Sequence, residues 1–159
     1  MKYIECPNKY LQRDKEVSIF LAGGITNCYD WQKELVGLLS NENYIIYNPR
    51  RSNFNVEDDN LKEQIEWEHY YLKMSDLVVF WFAPETLCPI SLFEYGKILV
   101  GHRDVLLGIH PDYKRKRDLE FQTSLERDIT ISYSLTDLAE EIKRKVVDLL
   151  SYNCDEWFY

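Results

Sequence analysis

VSIFLAGGITNCYDW, residues 17–31, decides the fold. VSIFLA is a continuous apolar run, the pattern of a strand buried on both faces of a parallel sheet rather than on one. Gly23-Gly24 follows at once and suits a tight strand-to-helix turn. Asp30 then stands as N-cap for WQKELVGLLS, where Trp31, Leu35, Leu38 and Leu39 share one helical face.

The same alternation continues to the end of the chain. YIIYN (44–48) reads as the second strand, closed by Pro49. A helix from about Asp59 to Met74 carries Leu61, Ile65, Glu68 and Leu72 near one stripe, which should face the sheet. LVVFWF (77–82) is the third and most apolar strand, fit for the sheet centre. Pro84 and Pro89 bracket a loop, and Pro89 at a first helical turn starts ISLFEYGKILV. DVLLGI (104–109) ends at His110-Pro111. A short helix around 116–126, a fifth strand at Ile129–Ser132 and a last helix from Leu135 complete the pattern. Strands alternating with helices imply an α/β fold: one doubly wound parallel sheet of five strands with right-handed crossovers.

Composition bounds what such a chain does. Its 159 residues suit a single domain with a real core, and no apolar run is long enough to span a bilayer. The start, MKYIECPNKYLQRDKE, is too polar for a signal peptide, so a cytoplasmic protein is expected, with no membrane partner. A net charge of −8 argues against nucleic acid, which needs a basic footprint. The one basic cluster, KRKR at 114–117, fits a solvated surface or an anion contact. Cys6, Cys28, Cys88 and Cys154 form no C-x-x-C pair and have no zinc-ligand spacing to a histidine, so they read as free thiols, mostly buried. Nothing calls for a metal or another cofactor.

Ligands of doubly wound sheets sit beyond the carboxyl ends of the strands, at the point where strand order reverses. That rule selects Gly23, Gly24, Ile25, Thr26 and Asn27 after the first strand, Asn48, Pro49, Arg50 and Arg51 after the second, Pro84 to Ser91 after the third, and His110 to Tyr113 after the fourth. Asp76 opens the third strand at the opposite edge and reads as structural. The glycine turn lacks both the G-x-G-x-x-G and the G-x-x-x-x-G-K-[ST] fingerprints. Arg50 and Arg51 suit either a 5′-phosphate or an ion pair with Glu68 or Glu85. His110 is either a pocket donor or a histidine packed beside Pro111. Trp31, Trp67, Trp81 and Phe93 read mostly as core, with stacking on a base as the alternative. Glu94 lies in the second turn of a helix whose N-terminus faces the crevice, and Glu68 lies on the preceding helix. Two carboxylates in one pocket divide labour as nucleophile and acid, and two solvated helix glutamates fit the spacing as well.

LAGGITNCYDW, NPRR, EQIEWEH, DLVVFWF, PETLCPISLFEYG and GIHPDY, in this order, resemble the nucleoside 2-deoxyribosyltransferase superfamily, and within it the deoxyribosyltransferase-like branch. The likeness covers residues 17–150. Residues 1–16 then read as an N-terminal extension and 151–159 as an aromatic tail. The resemblance implies a flavodoxin-like (Rossmann-like) fold, with cleavage or transfer at the N-glycosidic bond of a nucleoside or nucleotide. It maps the nucleophilic glutamate of the E-x-G motif to Glu94 and a second acidic residue to Glu68, Glu here where Asp is common. It also implies a nucleobase as second substrate, a role in salvage, and a homo-oligomer; the C-terminal aromatic tail either brings Tyr159 to a neighbouring subunit's pocket or docks on its own surface. Phe20 stands where characterised members carry a nucleophile-orienting tyrosine. Cys88 stands where transferases carry Asp and related nucleotide hydrolases Ser, and Ser91 follows it at the helix start. Hydrolysis of a nucleoside 5′-monophosphate, or nucleotide sensing without chemistry, are the other activities this pocket allows.

Overall fold

The computed structural model describes residues 1–13, 16–39, 44–52 and 58–155, the side chains of 58–60 and 152–155 excepted. Its strands are β1 (Lys2–Glu5), β2 (Val17–Gly23), β3 (Tyr44–Asn48), β4 (Leu77–Phe82), β5 (Asp104–Ile109) and β6 (Ile131–Ser132). Its helices are α1 (Trp31–Leu38), α2 (Asp58–Met74), α3 (Pro89–Leu99), α4 (Lys116–Glu126) and α5 (Leu135–Asp155). The strands form one parallel sheet in the order β1-β3-β2-β4-β5-β6. Without β1 this is the doubly wound order expected of a flavodoxin-like fold.

Every residue of β4 is buried, which is why LVVFWF has no polar position. Leu77, Val79 and Trp81 join Trp31, Leu35, Leu138 and Ile142 in the core layer of α1 and α5. Val78, Phe80 and Phe82 join Trp67, Tyr71, Tyr95 and Leu119 in the layer of α2, α3 and α4. Asp30 caps α1 as expected, its carboxylate accepting from Lys33 N at 3.1 Å. Asp76 is structural: its carboxylate accepts from the backbone N and the hydroxyl of Ser18, both at 2.8 Å, at the edge opposite the crevice.

Several expectations need correction. The sheet has six strands rather than five, because Lys2–Glu5 pairs with β3 from Lys2↔Ile45 to Glu5↔Asn48. KYIE is short and charged at both ends, so only the edge of β3 makes it a strand. β6 is shorter than Ile129–Ser132, since only Ile131 and Ser132 find partners, in Leu107 and Gly108. In α1, Leu38 is exposed and Gln32 is fully buried. The face of α2 is also rotated: Leu61 and Ile65 are exposed, and Gln64, Trp67 and Tyr71 turn inward. Trp67 and Tyr71 take the inward positions and pack on aromatic partners. Their ring centroids are 4.5 Å apart, Tyr71 stacks on Tyr47 at 4.1 Å, and Phe20 lies 6.2 Å from Trp67. The rotation leaves Glu68 at the border of the buried face. Phe93 is exposed rather than core. The aromatic end, Trp157 to Tyr159, lies outside the described residues, and among them no helix is long and apolar enough to cross a membrane.

Candidate active site

β2 and β4 are neighbours at the sheet centre, and the chain leaves them in opposite directions, towards β3 and towards β5. The crevice between their carboxyl ends is the reversal point of the fold. Its floor begins at Gly23-Gly24. A Cβ on Gly23 would strike the backbone oxygen of Trp81 and come within 2.7 Å of the Trp31 ring. One on Gly24 would sit 2.8 Å from both Cys88 Sγ and Thr86 Cγ2. The two glycines therefore bring the first turn against the β4–α3 loop, which no side chain permits.

Arg50 holds that turn. Its Nη2 donates to the carbonyls of Tyr29 at 3.0 Å and of Gly24 and Cys28 at 3.4 Å, and its Nε donates to buried Gln32 Oε1 at 2.9 Å. Its ion pair is with Asp30 at 3.4 Å, not with Glu68 or Glu85. The Gly24 carbonyl also accepts from Trp31 Nε1 at 2.9 Å. Asn48 is buried, donates to the Tyr3 hydroxyl and accepts from Arg50 N at 3.0 Å. Ile25 is half-buried on the same turn.

The opposite wall starts at Cys88, whose left-handed backbone (φ 48°) opens α3, with Pro89 in the first helical turn. Burial pushes the Cys88 thiol up to about 11, so it is an uncharged thiol at neutral pH. Tyr113, itself buried, donates its hydroxyl to Leu87 O at 2.9 Å and so ties the fourth loop to the third. His110 is half-exposed, and its Nδ1 accepts from Asp112 N at 3.1 Å, a local turn. Ser91 is buried in the first turn of α3. Phe20 is only 1% exposed and lies within the aromatic core.

Glu94 and Glu68 are both half-buried. The Glu94 carboxyl is raised from 4.5 to about 7, chiefly by burial and then by the Glu68 charge, with Lys97 opposing. Glu68 is also raised, mainly by burial, against the lowering effects of Gln64 and Arg51. The Glu68 charge acts on Glu94, so the carboxyls of α2 and α3 lie near enough to interact electrostatically. Such a pair gives up its protons in two steps that belong to the pair. A carboxyl raised to about 7 beside a second raised carboxyl can offer both a proton and a negative charge, the two requirements of acid-assisted nucleophilic chemistry.

Gln64 was not among the residues singled out by sequence reasoning. Its Nε2 donates to Glu68 Oε1 at 2.6 Å, and the one-turn spacing of Gln64 and Glu68 is the signal that marks it. Arg51 reaches this group as well, through Nε to Gln64 Oε1 at 2.6 Å, and it pairs with Glu63 at 3.0 Å. Cys6, Cys28 and Cys88 are free, and among the described residues no cluster of His, Cys, Asp and Glu is arranged to hold a metal ion.

The family model described as nucleoside 2-deoxyribosyltransferase-like matches residues 16–113, a span that includes β2 to β5 and both glutamates. Comparison with curated proteins returns no match.

Proposed function

Because the chain belongs to the nucleoside 2-deoxyribosyltransferase-like family, we propose that it cleaves the N-glycosidic bond of a (deoxy)nucleoside or nucleotide and passes the sugar to a second nucleobase. The observation that carries this reading is the coupled pair of Glu94 and Glu68, with the Glu94 carboxyl raised to about 7.

A Glu94 carboxylate oxygen attacks the anomeric carbon as the bond to the base nitrogen breaks, through an oxocarbenium-like transition state. The electron pair of the broken bond goes to the base, which takes up the proton held by Glu68 as it leaves. The product is a glycosyl ester on Glu94. A ring nitrogen of the incoming base then attacks the same carbon, loses its proton to Glu68, and frees the Glu94 carboxylate. Water in place of the second base gives hydrolysis by the same route. The reactive form of the free protein is the minor tautomer of the singly protonated pair, in which the proton has passed from Glu94 to Glu68 and the charge lies on Glu94. Gly23, Gly24 and Ile25, with Cys88, Ser91, Asn48 and His110, frame the pocket in this reading, and Arg50 acts by holding the glycine turn.

The test is incubation with a 2′-deoxynucleoside and a second base, followed by chromatography. Exchange identifies a transferase, and free base without exchange a hydrolase acting on nucleosides or their monophosphates. No product from either class of substrate refutes the proposal. Glu94→Ala should abolish turnover, and retained turnover would remove Glu94 from the nucleophile's role. A binding-only pocket is the second reading, favoured by Phe20, which puts no hydroxyl where a tyrosine would orient the nucleophile. Thermal stabilisation by a nucleotide with no product after long incubation supports it.

A further inference from the structure

We infer that Gln64 is the positioning residue of the paired carboxylates: its amide, aimed by Cys6, Arg51 and Pro49, holds Oε1 of Glu68 as a hydrogen-bond acceptor and directs the Glu68 proton to Oε2. The inference rests on the proposed role of Glu68 as proton donor, and it concerns a residue to which that reading gives no part.

A side-chain amide has two donor hydrogens and two acceptor lone pairs. Gln64 uses all four. Nε2 donates to Pro49 O at 2.7 Å and to Glu68 Oε1 at 2.6 Å. Oε1 accepts from Arg51 Nε at 2.6 Å and from Cys6 Sγ at 3.1 Å. The amide is buried, so no water competes for these sites. A flipped amide would set its NH2 against the Arg51 and Cys6 donors and its oxygen against the Pro49 and Glu68 oxygens. The contacts with Arg51 Nε, a donor only, and with Pro49 O, an acceptor only, would both turn repulsive, and these two fix the observed orientation.

Each anchor has its own support. Arg51 is held by Glu63 Oε2 at 3.0 Å and also donates to Cys6 Sγ at 3.3 Å. Cys6 follows β1, and its backbone N donates to Asn48 O at 3.0 Å. Burial pushes its thiol up to about 11, so it keeps the hydrogen it gives to Gln64. Segment 5–6 lies outside the matched span of residues 16–113, yet it closes the last hydrogen-bond site of the amide. An oxygen that accepts a short hydrogen bond is a poor place for a proton. The acid proton of Glu68 is thereby confined to its other oxygen. Arg51 after β3 lowers Glu68 directly, Glu94 of α3 and Cys6 feel its charge, Lys97 of α3 acts on Glu94, and Glu63 of the same helix pairs with Arg51.

Carboxyl carbon-13 NMR on glutamate-labelled protein tests the inference without substrate, with Glu68 assigned by its loss in Glu68→Gln. Gln64→Met keeps the volume and removes every hydrogen bond of the amide. The Glu68 titration midpoint should rise by about one pH unit or more in that variant, since a hydrogen bond to the charged form is lost. In the active protein the same change should lower kcat by about tenfold or more, with little change in KM, and move the pH–rate profile upward. An unmoved Glu68 midpoint in folded Gln64→Met overturns the inference. The wild-type protein supplies a second readout that needs no variant at Gln64. One side-chain NH2 resonance of Gln64 should titrate with the Glu68 midpoint and lose that dependence in Glu68→Gln, and a flat resonance also overturns the inference. These titrations are independent of turnover. Shifts of the expected size in a protein that fails to exchange bases would sink the proposed function and leave the hydrogen-bond assignment standing. Exchange activity with an unmoved midpoint would do the reverse.

Discussion

Replacing Glu94 with glutamine removes one titrating proton and almost nothing else, because the two side chains share shape and volume. In the folded protein the Glu94 carboxyl titrates near 7 instead of 4.5. A folded-state value above the unfolded one means that the folded state binds the proton more tightly. The associated stability is fully present below about pH 4.5 and is lost as pH rises through about 7. At about 1.4 kcal/mol per pH unit, the interval corresponds to about 3 kcal/mol, an upper figure because solvent screens a carboxyl that is only half-buried. Glu94→Gln stays neutral throughout. Its stability relative to wild type should be near zero at pH 4, climb between pH 5 and 7, and level off at no more than about 3 kcal/mol in its favour at pH 8. Urea unfolding across this range measures the difference, with equal m values required of both proteins. The cause can be separated too. Burial is the larger contribution and the Glu68 charge the smaller. In a Glu68→Gln background most of the climb should therefore persist, displaced to lower pH. Parallel stability curves for wild type and Glu94→Gln would refute the claim that Glu94 is held in a desolvated, charge-opposed site. A climb that vanishes entirely in Glu68→Gln would refute the order of the causes.

The same ionisation governs rate. If the singly protonated pair is the reactive form, kcat/KM should be bell-shaped in pH and fall above about 7 as the last proton leaves, while Glu94→Gln stays inactive at every pH. Gly24→Ala should cost about 1–3 kcal/mol, read as a fall in the urea midpoint, because its methyl must displace Cys88 Sγ and Thr86 Cγ2. Adding Cys88→Ala should recover part of that loss. Arg50→Ala should cost about 1–3 kcal/mol by leaving the carbonyls of Gly24, Cys28 and Tyr29 without its donors. Hydrogen exchange should then quicken first in residues 24–29, and uniform acceleration across the sheet would contradict that local role.

Much of the fold was legible because its cues are local. VSIFLA and LVVFWF are apolar at almost every position, as strands buried on both faces must be. Pro89 and Asp30 mark helix starts through backbone constraints that act within one turn. The ring of loops around Gly23-Gly24 followed from topology, and the pairing of Glu68 with Glu94 was legible as a candidate for the same reason. What escaped depended on distant partners. KYIE becomes β1 only against the edge of β3. The face of α2 was misjudged because Trp67 and Tyr71 answer to Tyr47 and Phe20, residues that no helical period registers. Arg50 read equally well as a phosphate ligand, and only the folded turn shows its guanidinium spent on three carbonyls.

For this protein, then, the sequence by itself determined the order and type of the elements from β2 onward, and through them pointed to the carboxyl ends of the strands and to the two carboxylates worth asking about. Tertiary structure alone decided that Gln64 holds one of them and that burial sets the proton affinity of the other. The division has a physical reason. Hydrophobic periodicity and capping act over a few residues of chain, whereas desolvation and charge coupling act through space between groups far apart in sequence.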